Sequence, residues 1–103
     1  MNKYLLVFYG GKMETDPKMM EKSMAKWNKW YADLGKAVVD GGNPTGPGKV
    51  VSETGVKSTG SKPVTGYSII QSQDMDAATA MVKSCPVLAA GSQVAVYPIM
   101  SMM

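Results

Sequence analysis

A single α+β domain, with an antiparallel sheet carrying helices on one face in the order β-α-β-β-α-β, is predicted from three observations. Short runs of aromatic, β-branched and aliphatic residues open, divide and close the chain. Two intervening stretches carry apolar residues at helical spacing behind an aspartate. The length of 103 residues, with 45% hydrophobic and 18% charged, is one globular domain's worth spanning residues 1–103. A domain of this size buries about 65% of its unfolded surface, enough for one core.

The first run, Lys3–Tyr9 (KYLLVFY), is dense in strand formers and stops at Gly10–Gly11. Its two faces, Tyr4, Leu6, Phe8 and Leu5, Val7, Tyr9, are both apolar, so both call for cover. One chain of this length supplies helices for one face only. Asp16–Pro17 then opens a helix, because Asp suits the N-cap and Pro the first helical position. Met20, Met24, Trp27, Tyr31 and Leu34 recur at spacings of four, three, four and three, which predicts one buried stripe. Lys18, Lys22, Lys29 and Lys36 fall opposite it, and Gly35 is a natural stop.

Ala37–Asp40 reads as a short second strand. Residues 41–66 follow as a Gly- and Pro-rich insertion, a long loop or short hairpin, with Lys49–Ser52 as a candidate strand inside it. Gly66–Ser72 (GYSIIQS) is the next strand. Asp74 caps a second helix in which Ala78, Met81, Val82 and Cys85 share a face and which Pro86 ends. A turn through Ala89–Ala90–Gly91 leads to a last strand, Gln93–Ile99. The order is the split pattern of ferredoxin-like folds.

Composition excludes several functions. The net charge is +3, and all eleven basic residues are lysine, so the guanidinium forks that read phosphate and guanine are missing. Nucleic acid is not an expected partner. With no His and one Cys, neither a zinc or transition-metal site nor any other cofactor is expected. Tyr4–Tyr9 is too short for a membrane span or a signal-peptide core, so no membrane partner is expected and a cytoplasmic location is. The lone Cys85 fits a reducing compartment.

Five segments together carry a resemblance: KYLLVFYGG, AKWNKWYADLG, VVDGGNPTGPGK, TGYSII and KSCPVLAAGSQVAVYPI. Over nearly the whole chain, and most specifically at Gly35–Pro44 and Cys85–Gly91, the sequence resembles the YCII-related family. The resemblance implies a dimeric α+β barrel, in which two four-stranded sheets face each other and a second copy covers the second apolar face of the first strand. It also implies a fold whose function is largely unassigned. Proposed enzymes of the family use a His near the start of the first long helix, and the position similar to it here is Met24, whose thioether cannot serve as a general base. Another branch carries Asp-Gly-Pro-Phe before the third main strand, where this chain has Ser58–Pro63 (STGSKP).

Four residues are candidates for a site. Asp40 ends a strand before Gly41–Gly42, either as a carboxylate beside an apolar pocket that carries a proton, or as a turn residue binding backbone N–H groups. Trp30 lies about 60° off the helix stripe, from the 100° step per residue. It lines a pocket, meets a partner or covers the sheet edge. Tyr9 and Tyr67 sit where a hydroxyl reaches a ligand or anchors local packing. Cys85 reads as a buried structural thiol. The spacing in Gly55–Lys62 (GVKSTGSK) fails as a phosphate loop, because Ser61 intervenes before Lys62 and Pro63 follows where a helix should begin.

No catalytic constellation emerges. The reading favoured is a non-catalytic homodimeric module, binding a small organic ligand in the cleft between helix and sheet near Asp40, or a protein partner. The alternative is a small lyase or isomerase for a cyclic organic metabolite, with Asp40 as proton carrier and Tyr9 or Tyr67 orienting the substrate.

Overall fold

The computed structural model describes residues 1–10, 16–46, 48–60, 63–86, 88 and 91–100. Gly11, Ser61, Lys62, Ala89 and Ala90, which figure in the readings above, lie outside the described residues. Among the described residues eight helices and strands follow in order: β1 (Asn2–Gly10), α1 (Pro17–Leu34), β2 (Val38–Asp40), β3 (Lys49–Ser52), β4 (Gly55–Ser58), β5 (Val64–Ser72), α2 (Met75–Val82) and β6 (Ser92–Pro98). A 3-10 turn, Gly35–Ala37, joins α1 to β2 and takes Ala37 out of the expected strand.

The main sheet runs β2-β5-β1-β6 and every pairing is antiparallel. With the β3–β4 hairpin set aside, the chain alternates strand, helix, strand, strand, helix, strand. That arrangement is α+β and compatible with a ferredoxin-like fold. The central pair is β1 with β5, and their burial alternates residue by residue. Tyr4, Leu6 and Phe8 of β1 and Gly66, Ser68, Ile70 and Ser72 of β5 turn inward. Leu6 and Ile70 are fully buried, each contributing about 1.5–3 kcal/mol by leaving water. Trp30, Ala78, Val82 and Cys85 meet them from the helical side.

Both helices begin as their capping signals dictate. The Asp16 carboxylate accepts the Lys18 N–H at 3.0 Å, and the Asp74 carboxylate accepts the Ala77 N–H at 2.8 Å. Gly35 closes α1 with a positive φ of 57°, its N–H donating to the Tyr31 carbonyl.

The stripe expected on α1 is only half realised. Trp27, Tyr31 and Leu34 pack against the core, but Met20 and Met24 are 48% and 64% exposed. Trp30, placed off the stripe by spacing alone, is instead the one fully inward residue of the helix. The reason is geometric. An 18-residue helix is about 27 Å long, and among the described residues only its second half finds cover. There α2 approaches from one side and rotates the buried face towards Trp30, whose indole N–H donates to the Met81 carbonyl at 3.2 Å and Ser84 Oγ at 3.0 Å.

The insertion at 41–66 holds a real hairpin. Lys49 pairs with Ser58 and Ser52 with Gly55, so the rejected phosphate loop begins as strand β4. All of β3 and β4 is exposed, Val50, Val51 and Val56 included. The molecule is a slab of 46 × 40 × 18 Å, and its thin dimension fits one sheet and one helical layer.

Candidate functional site

Cross-strand register defines the sheet face that carries no helix. Leu5 stands between Ile69 of β5 and Tyr97 of β6, and Val7 between Tyr67 and Ala95. Directly opposed residues share a face, so these six residues form a contiguous apolar surface. Tyr9 extends it, lying two residues beyond Val7 and opposite Gln93. A bulge between Phe8 and Tyr9 shifts its pairing on the β5 side to Val64.

Asp40 ends β2 at the rim of this face, paired with Ile69. Its carboxylate is exposed and accepts the Gly42 N–H at 2.8 Å, the bond of an Asx turn. The next residue in the turn, Asn43, takes the Tyr67 N–H on its carbonyl at 3.2 Å, and its amide reaches the Tyr67 hydroxyl at 3.4 Å. Asp40 and Tyr67 are thus joined through one turn, and Tyr9 lies on the same face. Trp30 does not belong with them, because it sits in the helical layer on the other side of the sheet.

The cleft expected between helix and sheet beside Asp40 is filled by the chain's own aromatic rings. Trp27 meets Phe8 edge-on at 5.2 Å and stacks on Tyr31 at 5.7 Å, and Trp30 lies 5.2 Å from Tyr31.

Sequence reading missed a hydroxyl cluster behind that turn. Tyr31 Oη lies 2.7 Å from Ser68 Oγ, which donates to the Gly41 carbonyl at 2.8 Å. Tyr31 O–H donating to Ser68 Oγ satisfies both protons. The signal for it is the serine at an inward position of GYSII, where a buried hydroxyl must find a partner. The cluster locks α1 to the β2–β5 edge.

Burial pushes the Tyr31 phenol above its ordinary pKa. The Ser68 hydrogen bond pulls it partly back, and neighbouring Cys85 adds to the rise. A raised folded-state value means the folded protein holds the proton more tightly than the unfolded chain. That stability is fully present below the unfolded tyrosine pKa and is lost as pH rises through the folded one. Urea melts of wild type and Tyr31→Phe at neutral and strongly alkaline pH check this. The variant is expected to lose about 1 kcal/mol at neutral pH and to show a shallower alkaline decline.

Two surface grooves stand apart from Asp40, Tyr9 and Tyr67. One, of about 300 Å³, opens beside Trp30 between Lys26, Lys29 and Ser84. The other, of about 290 Å³, lies between Lys36, Ser72 and Met81. Among the described residues no group of three or more His, Cys, Asp or Glu could hold a metal ion. No helix among them is long and apolar enough to cross a membrane. No model of a known protein family matches the chain, and no curated protein matches it.

Proposed function

We propose that the chain works as a homodimeric binding module of the YCII-related kind, in which a second copy covers the helix-free face of the sheet and a small organic ligand binds at its Asp40–Tyr67 rim. The observation that carries this reading is the open apolar face built from Leu5, Val7, Tyr67, Ile69, Ala95 and Tyr97. Strand spacing and rise give a four-stranded face of roughly 20 by 25 Å. That is of the order of the roughly 600–800 Å² each partner loses in a small specific interface. Polar outward residues would be expected on a sheet that faces water. A dimeric α+β barrel provides the missing cover, and Tyr9 and Tyr67 then lie at its margin with hydroxyls available to a ligand. Trp30 has no part in such a site.

Binding is favoured over proton transfer because the Asp40 carboxylate is exposed and accepts the Gly42 N–H as a turn residue does, instead of lying in an apolar pocket that would poise it to carry a proton. The lyase or isomerase alternative predicts that Asp40→Asn, which keeps an acceptor for that N–H, abolishes turnover without lowering the thermal midpoint.

Sedimentation equilibrium tests the module directly. Wild type is expected at twice its 11.0 kDa chain mass, and Val7→Lys at the mass of one folded chain. The position is partly open on the face without helices, so the charge can be tolerated in a monomer. A monomeric wild type, or a Val7→Lys dimer as tight as wild type, refutes burial of this face.

A further inference from the structure

Three serines of the sheet are buried, and two have partners. Ser68 Oγ bonds the Gly41 carbonyl and Tyr31, and Ser92 Oγ donates to the Gly10 carbonyl at 3.0 Å. Ser72 Oγ makes no hydrogen bond among the described residues. A buried hydroxyl without a partner is costly, and native structures seldom keep one without a use.

Ser72 ends β5 on the inward face and lines the groove of about 290 Å³ between α2, the 3-10 turn and the strand end. Met1, Ala37, Ala77 and Met81 give this groove an apolar wall, Gln71 and Gln73 add amides, and Lys36 is the only charged side chain among its described lining residues. The Gln71 amide donates to the Lys36 carbonyl at 2.8 Å, which fixes the turn that presents the lysine. A lysine in the lining, an unused buried donor and an apolar wall make a complementary set. Serine χ1 has three staggered positions, so rotation about one bond swings the hydroxyl among them.

We propose that this groove binds a small organic anion, an alkyl or aryl carboxylate. Its hydrocarbon body lies against Ala37, Ala77 and Met81, and its carboxylate takes the Ser72 O–H and the Lys36 ammonium. The groove lies on the helical side of the sheet, so the site stands whether or not a second copy covers the opposite face.

Octanoate and octan-1-ol, titrated into the intact protein and followed by the methyl resonances of Ala37, Ala77 and Met81, test the site. Octanoate is expected to give saturable shifts at all three and to bind about tenfold more tightly than the alcohol, as a charge-assisted contact allows. Lys36→Gln should erase that preference. Ser72→Ala should weaken octanoate several-fold while leaving the melting temperature unchanged or higher, since no existing bond is lost. Absence of saturation, shifts confined to Leu5, Val7 and Tyr67, or equal affinity for acid and alcohol overturns the proposal. A lower melting temperature in Ser72→Ala also overturns it, because the hydroxyl would then be bonded in the free protein.

Discussion

Gly42→Ala is expected to lower folding stability by about 3 kcal/mol or more and to dismantle the β2–β5 edge. Gly42 has φ +74°, and a Cβ placed there would fall 1.7 Å from the Tyr67 carbonyl oxygen and 2.6 Å from its carbon. Both atoms belong to the backbone of β5, so no side-chain adjustment relieves the overlap. The same strand carries Ser68, whose hydroxyl holds the Gly41 carbonyl, and the turn also carries Asn43, which pairs with Tyr67. Displacing Gly42 therefore strains every link between Asp40 and the sheet. Gly41→Ala is the internal control. Its added methyl meets nothing within 4 Å and its φ is not positive, so its cost should stay within about 0.5 kcal/mol. Urea denaturation of the two variants separates a turn that needs one specific glycine from a turn that is merely flexible. Equal effects would contradict the close approach of this backbone to β5.

Trp30→Ala carries the second large effect, expected at about 3–5 kcal/mol for a buried indole. The side chain is 4% exposed, meets Trp27 edge-on at 5.7 Å, and ties α1 to the end of α2 through its N–H. Trp30→Phe keeps most of the apolar volume and loses the bridge to Met81 and Ser84. It should cost less, with the Met81 carbonyl still taking the Ser84 hydroxyl at 3.0 Å. Met24→Ala on the exposed half of the same helix should cost about 0.5 kcal/mol or less. Thermal melts of the three variants thus rank the helix by cover rather than by hydrophobicity. A larger loss for Met24→Ala than for Trp30→Ala would mean that the first half of α1 is buried in the assembled protein.

Much of the architecture was legible because its signals are local. Asp16–Pro17 and Asp74 cap helices through bonds two and three residues ahead. The alternation in β1 and β5 is a property of the strand itself, and Gly35 stops a helix by its own backbone freedom. The second strand of the hairpin was not legible. Gly55–Ser58 has few strand formers, and it is held by its partner Lys49–Ser52 rather than by its own composition. The site was legible in part. A carboxylate before two glycines announces a turn, but which glycine is indispensable depends on how closely β5 approaches.

The amino-acid sequence by itself determined the order of the strands and helices of the main sheet, the starts of both helices, the stop of the first at Gly35, and the presence of two apolar faces on the first strand, whereas α2 stops at Val82, short of the Pro86 that the sequence gives as its end. Those properties follow from periodicity and capping, which act over a few residues. The tertiary structure decided which helix residues are covered, where a buried hydroxyl finds an acceptor, and that one turn links Asp40 to Tyr67 while Trp30 lies across the sheet from them. Helical spacing specifies a stripe but not how far along the stripe a neighbour reaches, so Met20 and Met24 stayed exposed and Trp30 took the core position. Ser68 and Ser72 are two residues apart on one strand face, yet one meets Tyr31 and the other meets no hydrogen-bonding group among the described residues. That difference arises from the packing of α1 and α2 over the sheet, a relation between elements that no local pattern encodes.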